Sequence, residues 1–223
     1  MSGHPGALAT PPLRRDAAAN RERILRAAVE VFSTSGLDAG IDEVARRAGV
    51  GVGTVYRRFP TKEALVEEIV ADLLRGMVDV AQRASQAAPE DGFAEFLRGA
   101  GELQARHAGC LWQLWSSGQQ NEEILAEMRS VVHRLLLRAQ ESGAIRADLV
   151  YEDVGMLLWQ LAGVVESVRE VDPQLWRRAL EIMLLGITPG AQAAHQPPTL
   201  TQPPLYPGGL DEVARQARLR RSR

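Results

Sequence analysis

The chain has 223 residues, 45% hydrophobic and 24% charged, which is ordinary for a globular protein of one large or two small domains. A formal net charge of −2 gives no sign of a nucleic-acid binder. The single cysteine, Cys110, excludes an intrachain disulfide and a cysteine-based zinc cluster, and it fits a reducing cytoplasm.

Residues 1–16 (MSGHPGALATPPLRRD) are rich in Gly and Pro, lack periodicity and have no apolar stretch of the secretory kind. They predict a mobile arm. From Ala17 the pattern turns helical. Ile24, Leu25, Ala28, Val31 and Phe32 form one stripe, with Asn20 or Asp16 as cap and Gly36 as stop. Ile41, Val44, Ala45 and Ala48 predict a short second helix ended by Gly49. A third runs from about Val52 to Phe59 and stops at Pro60. Thr61 is placed to cap a fourth, reaching about Ala84.

Ala87–Gly92 reads as a break. Phe93, Phe96, Leu97, Ala100, Leu103 and Gln104 then repeat helically to about His107. CLWQLW is a further short segment between Gly109 and Gly118. Ile124, Leu125, Met128, Val131, Val132, Leu135, Leu136 and Ala139 make the clearest stripe, ended by Gly143. Tyr151 to Val168 is another helix. Its apolar run, Val154 to Val165, falls short of the roughly 20 residues that a membrane span needs. Asp172-Pro173 reads as a cap-plus-first-residue start for the last helix, which ends near Gly186. A Pro- and Gln-rich linker follows Ile187, and Leu210–Arg223 is Arg-rich. No long segment alternates with period two, so the fold class is all-α, with about nine helices.

Residues 41–59 have the spacing of a helix-turn-helix, whose second helix enters the DNA major groove. Ala45 and Ala48 are small enough for close helix approach, and Gly49 permits the sharp turn. Val50 and Val55 are placed to pin the pair to Phe32 and Ile41. Gly53 and Thr54 put no bulk on the first turn of the second helix. Tyr56, Arg57 and Arg58 follow with hydrogen-bond donors. Tyr56 has an alternative reading as a core aromatic, and Arg46, Arg47 and Arg58 as a solvated face.

The pattern Ile41-x-x-Val44-Ala45-x-x-Ala48-Gly49-Val50-x-x-Gly53-Thr54-Val55-Tyr56-x-x-Phe59-x-x-Lys62-x-x-Leu65 resembles the signature of the tetracycline-repressor (TetR) family. The match covers about residues 20–65. The resemblance implies a helix-turn-helix domain at 17–63 and a ligand-binding and dimerisation domain at 64–187; composition adds a disordered Pro-rich linker and basic tail at 188–223, of which Leu210–Arg223 lies outside the usual family core. It implies that Thr54, Tyr56 and Arg57 face DNA, with the Tyr56 hydroxyl and Lys62 on phosphates. Arg46, Gly53 and Arg58 complete the expected DNA set. Two positions depart from the family: Gly51 stands where a hydroxyl residue is frequent, and Gly40 where a threonine is. The fold survives both, because Gly is a tolerable N-cap. The phosphate-bonding hydroxyl is missing, and Arg46 or Arg57 is placed to compensate.

Charge by region supports this division. Residues 1–63 carry ten basic and seven acidic side chains, net +3. Residues 64–209 carry eleven and nineteen, net −8, and residues 210–223 carry five and two, net +3. Lys62 is the only lysine among the 26 basic residues. A basic N-terminal end fits phosphate contact, and Arg14 and Arg15 are candidates for the minor groove.

His107, Cys110, Trp112, Gln113, Trp115, Met156, Trp159 and Gln160 form a second constellation, apolar with a few polar groups. The resemblance implies a ligand pocket here, for a lipophilic or planar molecule that triggers release from DNA; the other reading of the aromatics is ordinary core. The His107/Cys110 pair lacks further ligands at metal-site spacing, and no cofactor motif is present. Val154, Leu157, Leu158, Leu161, Val164, Val165 and Val168 make a broad apolar stripe. The resemblance implies that the last two helices pair with their copies in a homodimer, through Leu158, Leu161, Val165, Trp176, Leu180 and Met183. A helix buried within its own chain is the alternative.

The expected function is a cytoplasmic, ligand-responsive repressor that binds double-stranded operator DNA as a homodimer. An activator or corepressor-dependent regulator uses the same motif. A small all-α enzyme is the rival from another class; no Ser/His/Asp set, P-loop or HExxH motif supports it.

Overall fold

The computed structural model describes residues 12–108, 121–189 and 206–209. Among them are eight helices and no strands: α1 Pro12–Ser35, α2 Ile41–Ala48, α3 Val52–Arg58, α4 Lys62–Ala84, α5 Pro89–Arg106, α6 Glu122–Glu141, α7 Tyr151–Val168 and α8 Trp176–Ile187. The expected ninth helix, CLWQLW, and the Arg-rich segment from Leu210 lie outside the described residues. The chain divides into two compact units, between Glu68 and Ile69.

The first unit packs α1 on α2 and α2 on α3. Ile24, Ala28, Phe32, Val44, Ala45, Val55 and Leu65 are almost wholly buried, as the apolar stripes predict. Helix α2 ends in a Schellman turn. Gly49, at φ 66°, donates its N–H to the Arg46 carbonyl, and the Val50 N–H bonds the Ala45 carbonyl at 3.0 Å. A side chain at that φ would be strained. Thr61 caps α4 as expected, its hydroxyl accepting the Ala64 N–H at 3.1 Å. Two ion pairs tie helices together: Arg47 to Glu30, across α2 and α1 at 2.6 Å, and Arg21 to Glu68, across α1 and α4.

Helix α1 begins at Pro12, inside the segment expected to be a mobile arm. Proline suits a helix start, where its missing N–H has no intrahelical partner to lose. Asn20, expected as a cap, is therefore within the helix, where its side-chain carbonyl accepts from Arg23.

In the second unit α5 lies against α6, α7 and α8. The described residues 69–84 of α4 also meet α5, through glycines. A Cβ on Gly76 would lie 3.0 Å from Leu103, and one on Gly99 2.6 Å from Val80. One on Gly92 would lie 2.8 Å from the Ala84 carbonyl oxygen. The break expected at Ala87–Gly92 is present but lies at residues 85–88. Helix α5 starts at Pro89, and Gly92 is a packing position rather than a breaker. The turn between the two helices is closed by Arg138 of α6, whose guanidinium donates to the Ser85 and Ala87 carbonyls. Both residues lie in the turn, beyond the last residue of α4.

The start of α8 also differs from expectation. The Asp172 carboxylate accepts the Gln174 N–H at 2.9 Å, forming a side-chain turn rather than a helix cap. The helix opens three residues after Pro173, at Trp176. The Trp176 ring covers Gly101 of α5, where a Cβ would come within 2.3 Å of it. Arg177 stacks over the same ring and pairs with Glu102 of α5.

Candidate functional site

Helix α3 is short, and its inner side is held by Val55, which has no exposed surface. Phe59, also buried, follows as its C-cap. The remaining positions face outward. Gly53, Tyr56, Arg57 and Arg58 are exposed and Thr54 is half-buried. Tyr56 is 47% exposed, which sets aside the reading of it as a core aromatic. Arg57 reaches the Thr54 hydroxyl at 3.5 Å, and Arg58 lies over the Phe59 ring at 6.0 Å. Thus the outer face of α3 carries two guanidinium groups, a phenol and a secondary hydroxyl beside a glycine that adds no bulk. These are groups that donate hydrogen bonds to phosphate oxygens and base edges.

Arg46 and Arg47 of α2 differ from each other. Arg46 is largely exposed, with Glu43 at 3.9 Å, whereas Arg47 is engaged by Glu30. Both border a shallow polar depression with Glu30, Thr34, Ser35 and Glu43. Lys62 is the first residue of α4 and half-buried; its ammonium lies 5.7 Å from the centre of the Phe32 ring. A cation at a helix N-terminus opposes the helix dipole. The aromatic face offsets part of that cost and directs the side chain.

Helices α2 and α3 both start on glycine. Gly40 and Gly51 have extended backbone at the N-cap and make no side-chain cap bond. A Cβ at Gly51 or Gly53 would meet nothing within 4 Å, and one at Gly40 only the Asp42 nitrogen, at 3.9 Å.

In the second unit Cys110, Trp112, Gln113 and Trp115 lie outside the described residues. Among the other expected ligand residues, Met156 and Trp159 are half-buried on α7 and Gln160 is exposed. His107 caps the end of α5 and is half-buried. Its Nδ1 lies 2.9 Å from the Leu103 carbonyl, so Nδ1 carries the proton. Burial lowers its pKa from the usual 6.5; the Leu103 bond works against that shift, Arg106 adds to it and Asp72 opposes it. Sequence reasoning read Gln104 only as part of a helical stripe. It has no exposed surface, and its Nε2 donates to the Leu158 carbonyl of α7 at 3.1 Å.

The expected dimer residues differ in exposure. Leu158, Leu161, Val165, Trp176 and Leu180 are all buried within the protomer, Leu161 at 0% and Trp176 at 2% exposure. They lie on α7 and α8, which pack against α5. Only Met183 of the six is half-exposed. The apolar side chains that α8 turns outward are Ile182 and Leu185, 61% and 76% exposed. No described helix is long and apolar enough to cross a membrane.

Residues 24–69 match the family described as bacterial regulatory proteins, tetR family, and residues 88–189 match the SbtR-like transcriptional regulator C-terminal domain. The HTH-type transcriptional regulator YvdT of Bacillus subtilis is 44% identical over 59 residues, 26% of this chain; the match spans 30% of YvdT's own length. A TetR transcription regulatory protein from Mycobacterium vanbaalenii is 32% identical, with 79% of this chain and 99% of that one covered and a TM-score of 0.57. The regulator LfrR of Mycobacterium smegmatis, solved in complex with proflavine, shares the fold at 16% identity. Its TM-score is 0.60, with 76% and 96% of the two chains covered. The helix-turn-helix geometry and these matches agree: this chain belongs to the TetR family of bacterial transcriptional regulators.

Proposed function

We propose that this chain is a cytoplasmic, homodimeric repressor that leaves its operator when a small, lipophilic or planar molecule enters its C-terminal unit. The observation that carries the DNA-binding part is the outer face of α3, where Thr54, Tyr56, Arg57 and Arg58 stand clear around Gly53. Arg57 and Thr54 are assigned to base edges, and Tyr56, Arg58, Arg46 and Lys62 to phosphates. Two recognition helices read half-sites about 34–36 Å apart, or a multiple of that.

The dimer interface is assigned to the outward face of α8, Met183, Ile182 and Leu185, rather than to the buried stripe. The ligand acts by preferring a state whose recognition helices are spaced wrongly for the two half-sites. It shifts that population by its difference in affinity for the two states. The route runs along α4, which belongs to both units. LfrR, of the same fold, holds proflavine, which supports a planar ligand for this body.

Fluorescence anisotropy on the DNA upstream of the gene, at several salt concentrations, tests the reading. Lys62→Ala is expected to weaken binding to all sequences and to lower the salt slope by about 1. Arg57→Ala is expected to cost about 1–3 kcal/mol on the operator and much less on random DNA. Equal losses on both DNAs would remove Arg57 from sequence readout. Ile182→Glu with Leu185→Glu is expected to give a folded monomer by sedimentation.

A further inference from the structure

Among the described residues of the second unit, Gln104 is the polar side chain most deeply set, 0% exposed on the apolar stripe of Leu97, Ala100 and Leu103. One half of its amide is satisfied by the Leu158 carbonyl. The other half is not: Oε1 is fully buried and has no hydrogen-bond partner among the described residues. A buried acceptor left unpaired costs stability. A methionine would occupy nearly the same volume without that cost. Nor does the bond to α7 account for the glutamine. Leu158 sits in the interior of α7, where its carbonyl has a place in the helix's own ladder.

The neighbouring polar group has the same bias. His107 lies three residues on, along the same side of α5. Its Nδ1–H is spent on Leu103, so the neutral ring has an acceptor, Nε2, to offer. Residues 64–209 carry a net charge of −8. Acceptors in an acidic body disfavour an anionic ligand and favour a neutral or cationic one with hydrogen-bond donors.

We propose that Gln104 is the polar contact of the effector site, its side-chain carbonyl accepting a hydrogen bond from an N–H or O–H group carried on an otherwise apolar molecule. The proposal rests on the ligand-responsive reading above and adds to it the class of ligand. The glutamine orients the ligand between α5 and α7, and the ligand in turn satisfies an acceptor that has no partner among the described residues.

Two fluorescent dyes test it on the full-length dimer. Proflavine and acridine orange share one planar cationic ring system, and methylation removes the amino N–H groups from the second. The wild type is expected to bind proflavine about tenfold more tightly than acridine orange. In Gln104→Met the preference disappears, while the unfolding midpoint does not fall and operator affinity is kept. Gln104→Glu retains an acceptor and is expected to retain the preference.

A preference that is missing from the wild type, that persists in Gln104→Met, or that vanishes together with a lowered unfolding midpoint overturns the proposal. Binding of neither dye to the wild type overturns it as well. Operator release, read in the same titration, separates the two claims. Release by proflavine that Gln104→Met does not diminish removes the contact and leaves the ligand-responsive reading. Donor-selective binding without release removes that reading and leaves the contact.

Discussion

A methyl group added at Gly51 or Gly53, in the first unit, would meet nothing within 4 Å; one added at Gly101, in the second, would lie 2.3 Å from the Trp176 ring. The same residue type answers to opposite demands. Gly92, Gly99 and Gly101 are required by neighbours within the chain, because α4 and α8 lie too close to α5 for a side chain. Gly53 has no such neighbour, and glycine inside a helix costs stability relative to alanine. On the DNA-binding function proposed above, its reason lies outside the chain, in a duplex that comes near the α3 backbone. The glycines of α3 thus leave open surface, and those of the second unit admit close helix packing.

Gly101→Ala is the strongest way to break this contrast. It should destabilise the protein by about 1–3 kcal/mol, because a buried, stacked tryptophan has to move. Chemical denaturation measures it, and Trp176→Leu in the same chain should recover part of the loss. If Gly101→Ala is silent, α8 has freedom that its packing denies.

Gly53→Ala tests the other side. It should raise stability by about 0.5–1 kcal/mol, by thermal unfolding, while lowering operator affinity. A variant that gains in both would show that no surface approaches there.

His107 separates the units by pH. Burial lowers its folded-state pKa, so below 6.5 the unfolded chain takes up the proton more readily. Its contribution is complete above pH 6.5 and is lost as pH falls toward the lowered value. His107→Gln should therefore flatten the decline in denaturation midpoint below pH 6.5, and leave Tyr56-dependent DNA affinity unchanged. An unaltered slope would sink the assignment.

Gly51→Ser should have the smallest effect on stability, a few tenths of a kcal/mol from a better cap. The added hydroxyl should also tighten DNA binding without the helix having to shift, since the space is open. Weakened binding would place DNA against that atom.

What the sequence made legible follows the same division. Helices α2 and α3 were readable because their determinants are local: Gly49 for the turn, Ala45 and Ala48 for the approach, Val55 for the inner face. The start of α5 was not, because the atom that makes Gly92 a packing position is the carbonyl of Ala84, on another helix. The burial of the apolar stripe on α7 was illegible for a related reason. A helix apolar around most of its girth has several candidate faces, and periodicity alone cannot say which one its own chain covers. Leu158, Leu161 and Val165 turned inward, and it was α8 that showed Ile182 and Leu185 to solvent. Gln104 did carry a signal, a lone amide in the middle of an apolar stripe, although its empty acceptor is visible only in three dimensions.

The lysine at the head of α4 has a practical consequence. Because the chain has no other, an amine-directed reagent such as an acetylating ester has a single side-chain target, at the end of a helix beside the Phe32 ring. Acetylation of that one amine, followed by mass spectrometry with and without operator, becomes a footprint one residue wide. A lysine-specific protease likewise has one place to cut, just inside α4, and protection of that bond by DNA reports occupancy without any label on the nucleic acid.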